Sequence, residues 1–441
     1  MRSKTGDGPQ TEQRHEPGSV PLARNVQRIG RLEIPGGGQV RVAGGYAYIG
    51  HMKPPHGTTI VDVSDPASPK VIATLKLPDG QSQTHKVRVA GDLMITNVEM
   101  NNRHLLRRGS QRLAEAVAKL SPALGRAPTD AELAAEMKLN ERDLPLIRDF
   151  MKRGYSEGGF KVWDISDRAR PRLLAHQKTF GFGVHRFDMD ERYAYISTEM
   201  EGFLGNILVI YDLKDPARPE EVSRWWMPGQ HTAGGEKPTW SGYRNRLHHT
   251  LRVGDHLWAS CWHAGMRVID VADIRKPRTV GSYDYHPPFP EPTHTVLKAP
   301  FRIAGREVAV VMDEEHDHVP GRLHAGLWVF DVTDLANIKP ISMFHVSELD
   351  SPWSRVGRFG AHQPVERMTD TLVYATWFSG GLRIVDIADP AAPKEVGHFI
   401  PQPSAGQASP QSNDVDLDQR GLIYLLDRNQ GLDILEYVAH A

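Results

Sequence analysis

TTIVDVSDPASP, residues 58–69, is a β-branched run that ends on Asp62, turns through Asp65 and Pro66, and stops at Pro69. Val, Ile and Thr favour a pleated, half-buried strand, and Asp and Pro close it with turn chemistry. The phrase returns as FKVWDISDRARP (160–171), LVIYDLKDPARP (208–219), MRVIDVADIRKP (266–277), LWVFDVTDLANIKP (327–340) and LRIVDIADPAAP (382–393), with a weaker copy, LDILEYVAHA, at 432–441. Measured between strand aspartates, the steps are 102, 48, 58, 61 and 55 residues. A second strand pattern precedes the phrase: GYAYIG (45–50), RYAYIS (192–197), HLWASC (256–261), TLVYAT (371–376). Four short strands at this period make a propeller blade.

Counting inner strands from Gln39, His85, His185, His249, His294, His362 and Asn413 predicts an all-β, seven-bladed β-propeller over 26–441. The last unit lacks its outer strand. VQRIGRLEIP (26–35) resembles the outer strands KVIATLKLP (70–78) and KEVGHFIP (394–401), so it is expected to close blade seven and remove two free edges. Residues 1–25 are then a flexible tail. The 102-residue step is two units long and holds an insertion in blade 2, residues 104–155, that reads as amphipathic helices capping one face; Thr129 and Glu132 carry a capping signature.

The repeated D-V-S-D-P phrase resembles the LVIVD-repeat β-propeller family, over nearly the whole chain apart from the tail and the insertion. The resemblance implies the fold; that repeat class hosts several roles and implies no single function.

Inner strands can be compared at one position. His85, His185, His249, His294 and His362 open five consecutive blades, with Gln39 and Asn413 in the other two. Equivalent inner-strand positions face one axis, and converging neutral imidazoles suit Fe, Cu, Zn or Ni. Four of the five are expected to ligate one ion. Glu99, Glu199 and His263 each follow a ring histidine by fourteen residues, and Glu314 follows His294 after a longer hairpin. Each hairpin return should set a glutamate beside a ring histidine, to orient it or to act as a base. His316, His318 and His324 read as a solvated loop, and Cys261 as an ordinary buried residue. The loop at 225–249, with Trp225, Trp226, Trp240 and Tyr243, reads as part of a pocket rim over the ring.

The layout is similar to that of carotenoid cleavage oxygenases, propellers that hold Fe(II) with four axial histidines backed by Glu, and to the selenium-binding protein and methanethiol oxidase propellers. It implies a transition-metal cofactor, iron first, with Cu, Mn or Zn as alternatives. It also implies a metal-dependent oxidoreductase, and the Trp- and Pro-rich loops suggest a small apolar or aromatic substrate. A metal-dependent hydrolase or lyase and a non-catalytic scaffold stay open. Composition narrows the partners: 53 Lys and Arg against 54 Asp and Glu leave a net charge of −1, which recruits neither nucleic acid nor an anionic membrane. One cysteine and no apolar N-terminal run lead to an expected cytoplasmic location.

Overall fold

In the computed structural model, which describes residues 22–316 and 318–438, every copy of the Asp phrase is a strand paired antiparallel on both sides. The first unit shows the pattern: Gly37–Ala43, Tyr46–His51, His56–Asp62 and Lys70–Lys76 form one four-stranded sheet in chain order. The aspartate at each strand end accepts the N–H two residues on. Ser64, Ser166, Lys214, Ala272, Thr333 and Ala388 donate to Asp62, Asp164, Asp212, Asp270, Asp331 and Asp386 at 2.8–3.0 Å. These Asx turns end the strand by giving its last N–H a local partner. Six pairings of the phrase with its outer neighbour slip by one residue at the same place, as at Ile60/Val61 and Ile210/Tyr211, which strengthens the twist of each sheet.

The result is all-β with curled antiparallel sheets. Apolar clusters sit between neighbouring units, such as the one joining Val40, Ile49 and Val61 to Leu426, Leu432 and Ile434, at opposite ends of the chain. The last inner strand, Ser412–Leu417, lies against the first: Asp414 accepts from Val40 N–H at 2.9 Å, Asp416 from Val42 N–H at 2.7 Å, and Asn413 donates to the Gly38 carbonyl at 2.8 Å. Val26–Pro35 pairs with Gln430–Tyr437.

Two expectations need correction. Leu22–Arg24 is a strand paired with Lys394–Ile400, so the tail does not extend to residue 25. Asn25 adopts φ +55, a left-handed conformation Asn tolerates, and there the chain steps from one sheet edge to the next. Residues 1–21 lie outside the described residues. In the unit of His362 the inner strand is reduced to a bridge, Pro364 with Ala375, because proline has no N–H for a ladder.

Three helices follow the strand Leu93–Met100: α1 (Arg103–Leu124), α2 (Asp130–Met137) and α3 (Leu144–Arg153). Thr129 and Glu132 form the capping box of α2. Leu106, Leu113 and Ala116 of α1 pack on Leu133, Met137, Leu144 and Ile147. Gly109 permits this approach, since a Cβ there would stand 2.5 Å from the Ile147 side chain.

Candidate metal centre

At the start of the inner strands the ladder slips by one residue, and the residue left unpaired is Gly38, His185, His294 or Asn413; in one strand three residues are skipped, ending at His248. His85 and His362 occupy the same place in their units. The rings follow one another: His85 to His185 5.3 Å between centroids, His185 to His248 5.0 Å, His248 to His294 4.2 Å, His294 to His362 4.4 Å. All five line one cavity of about 950 Å³.

Sequence alignment named His249 for this ring, and the structure puts His248 there. His249, one residue on, takes the opposite direction and bonds Glu366 Oε1 through Nε2 at 3.0 Å. A slip of one residue exchanges the two faces of a strand. Gln39 is displaced in the same way. Gly38 holds the ring position, where a Cβ would stand 2.7 Å from that of His85, and the Gln39 side chain instead accepts from Val87 N–H at 3.0 Å.

The hydrogen bonds behind the rings set their tautomers. A carbonyl only accepts, so His248 Nδ1 donates to the His294 carbonyl (2.7 Å) and His362 Nδ1 to the Asn413 carbonyl (2.5 Å). His294 Nδ1 donates to Thr295 Oγ1 (2.9 Å), whose own proton goes to Gln363 Oε1. His185 Nδ1 faces Glu99 Oε2 at 3.2 Å, while Arg103 offers an N–H to His185 Nε2 at 3.4 Å. In His248, His294 and His362 the Nε2 lone pair is left for the cavity, and in His185 it is shared with the Arg103 N–H. The His185 and His248 Nε2 atoms face each other at 3.2 Å, a separation that two bonds of about 2.1 Å to one ion can span. His85 differs. Asn97 donates to its Nδ1 at 3.2 Å, so its proton sits on Nε2, 3.8 Å from Glu99. Burial holds all five imidazoles well below their usual range, hence neutral.

The three predicted carboxylates fall in three different places. Glu314 lies 4.0 Å from Nε2 of both His294 and His362, on the lone-pair side rather than behind the rings. Burial raises its pKa, but the guanidinia of Arg358, bonded to it at 3.0 Å, and Arg428 outweigh that and keep it ionised. His294, Glu314 and His362 form one group with metal-ligand spacing, and His85, Glu99 and His185 another. Glu99 also accepts from Arg103 (2.5 Å) and Gln83 (2.9 Å). Glu199 reaches no ring histidine: it pairs with Arg107 of α1 and accepts from Phe182 N–H.

Beneath the rings lies a buried charged layer that the sequence reading missed. Glu366 binds Arg88, Arg186, His249 and Gln363. Burial opposes its charge, and the two guanidinia overcome it. The same residues bond back toward the rings, since Arg186 and Thr295 share Gln363 Oε1. No spacing rule finds Glu366, which sits in the loop after the Pro364 bridge.

Above the rings the wall is cationic. The first turn of α1 (Arg103, His104, Leu105) lines the cavity with Lys53, Arg358 and Arg428. Burial pushes Arg428 down to about 10, with Arg358 adding repulsion. The expected aromatic rim is mostly elsewhere: Trp226 packs on Phe203 and His231, and Trp225 bonds Thr279, while Trp262 is the one tryptophan of this wall. The loop expected to be solvated is organised instead. His324 bonds Glu315 (2.7 Å) and Glu348 (2.8 Å), which raise its pKa to about 9, and His318 bonds Glu315 at 3.1 Å.

The chain carries the LVIVD repeat at residues 37–75 and 373–400. No curated protein matches it in sequence. Among solved structures it is similar to a chain of the mitotic checkpoint complex, with 8% identity, full coverage of both chains and a TM-score of 0.53. A computationally designed protein, Ika8, aligns over 92% of this chain and 99% of its own at 6% identity and a TM-score of 0.47. The repeat match and the first of these likenesses concern the fold, a propeller-like repeat of curled sheets. Among the described residues no helix is long and apolar enough to cross a membrane.

Proposed function

Taking the LVIVD repeats as the premise, we propose that the units close into a seven-bladed ring whose axis holds one transition-metal ion on Nε2 of His185, His248, His294 and His362. Glu314 supplies a carboxylate beside it. The helical insertion in blade 2 caps that face. The observation that carries this reading is four neighbouring neutral imidazoles with Nδ1 tied back around one cavity, the His185 and His248 Nε2 atoms 3.2 Å apart and His294 and His362 grouped with Glu314 at metal-ligand spacing. A proton-free Nε2 facing a cavity is the form in which imidazole binds a cation.

On this reading the protein is a metal-dependent enzyme for a small molecule, an oxidoreductase first, in the cytoplasm. An iron or copper ion would supply redox and O2 chemistry there. The chain's own residues do the rest. Arg103 and His104 close the cavity from the α1 side. Arg358 holds Glu314 at 3.0 Å, and the hydrogen-bonded layer below reaches His294 through Gln363 and Thr295. A hydrolase or lyase is the second reading, favoured by the ionised Glu314, which could take a proton from a water or substrate at its 4.0 Å distance from two rings.

Metal analysis of protein expressed with Fe, Cu, Mn and Zn supplied tests the site. His248→Ala should lose metal by more than about 100-fold in affinity, beyond the 10–100-fold typical of outer partners. His249→Ala should keep it. Equal metal in both variants and wild type, or none in wild type, removes the site and leaves a scaffold. Oxygen uptake against ester or lactone hydrolysis then separates the two chemistries.

A further inference from the structure

A second cavity of about 560 Å³ adjoins the first, and Arg103, His104, Trp262 and His316 line both. Its wall holds six arginines (103, 107, 108, 244, 246 and 322) against the carboxylates Glu291 and Glu315. Glu315 is engaged by His318, His324 and the Ala325 N–H, and Glu291 accepts the His316 N–H at 2.7 Å. Among the arginines, Arg103 pairs with Glu99, and Arg107 pairs with Glu199 between the rings of Phe182 and Tyr243.

Arg246 is different. It is 9% exposed, its guanidinium lies 4.2 Å over the Trp262 ring, and it gives one N–H to the Tyr243 carbonyl at 2.6 Å. No carboxylate among the described residues lies within ion-pair distance of it. Burial and the repulsion of Arg103 and Arg107 oppose its charge, and Glu314 and Glu99 offset this only in part, from beyond ion-pair distance. Stacking on Trp262 holds the planar group still and leaves an edge of donors suited to two parallel bonds to an oxyanion. The same wall receives the N-terminal turn of the 22-residue α1, whose Asn102 makes no side-chain cap, so its free N–H groups add to the positive field.

We propose that this arginine chamber binds the oxyanion of a small organic acid or phosphate ester, with Arg246 as the anchor, and so presents the rest of that molecule to the histidine ring. The substrate class is then anionic rather than simply apolar. Its place as a substrate subsite rests on the metal-site reading; the binding of an anion does not, and it is measured on metal-stripped protein.

Isothermal titration calorimetry with inorganic phosphate and with benzoate, at constant ionic strength in chloride, should show saturable binding of at least one, near one per chain. Phosphate alone assigns a phosphate group, benzoate alone a carboxylate. Arg246→Gln should weaken that binding at least about tenfold, Arg246→Lys less, since lysine keeps the charge without the fork. The surface control Arg218→Gln, with the same charge change, should bind as wild type. No binding of either anion, or equal binding by Arg246→Gln, overturns the proposal. Melting adds an independent check. Arg246→Met should melt at or above wild type in anion-free buffer, because an unpaired buried charge is gone. A clear fall in melting temperature would mean that Arg246 serves packing, and would overturn it too. Anion binding that persists in a protein unable to hold metal discards the metal centre alone.

Discussion

Glu314 and Glu315 are neighbours in the chain and serve two histidine clusters of opposite electrical character. Glu314 faces His294 and His362, whose Nδ1 atoms already donate to Thr295 and a carbonyl, so each ring is neutral and points a lone pair at the carboxylate side. Glu315 faces His318 and His324, and His324 has a carboxylate on each nitrogen. That ring is a cation and ties Glu315 to Glu348. Residue type therefore does not distinguish a ligand histidine from a structural one. What distinguishes them is the far nitrogen: at His324 Nε2 donates to Glu348 at 2.8 Å, whereas at His294 and His362 Nε2 is left without a proton.

The sharpest way to break the comparison is to remove one ring from each cluster. His294→Ala should lower metal affinity by more than about 100-fold, and His324→Ala should leave metal content unchanged, as read by metal analysis of the purified variants. Loss in both, or in neither, would erase the distinction. A smaller effect, read by thermal or urea unfolding, is expected at Glu315. Glu315→Gln keeps the shape but gives one acceptor oxygen to three donors, at a cost of about 2 kcal/mol. Metal content should not follow it.

pH separates the clusters again. The pKa of His324 in the folded chain is about 9, above its ordinary 6.5. A raised pKa means stability fully present below about 6.5 and lost as pH rises through 9. The side chain is 8% exposed, and the contribution is on the order of 1–3 kcal/mol. Melting curves from pH 6 to 10 should show this loss in wild type and not in His324→Gln. The least effect belongs to Glu199→Gln. Glu199 pairs with Arg107 instead of a ring, so metal affinity should stay within about twofold; a 10–100-fold fall would restore it as an outer partner.

Much of this was legible in the chain. The Asp phrase, the strand 26–35, the helical character of the insertion and the capping box at Thr129 all follow from local rules: β-branched runs, Asx turns, amphipathic period. Four of the five ring positions were found as well, because a repeat copies its inner strand in phase. The failures are equally local. His248 and His249 are adjacent, and the inner strand before them skips three residues of its ladder, so counting back from the partner strand chooses the wrong one. Glu199 keeps the same spacing as Glu99, yet α1 brings Arg107 to it.

The sequence alone determined the unit, its turns and the recurrence of histidine at one place in five inner strands, since each depends on contacts within a few residues or across one hairpin. The tertiary structure alone decided which histidine of a pair faces the cavity, which nitrogen carries the proton, and which carboxylate lies on the lone-pair side. Those depend on bulges and on partners from other units, such as the Asn413 carbonyl behind His362 and Glu366 beneath His249. A one-residue slip or a helix folded over the rim reverses them without changing the pattern of residues along the chain.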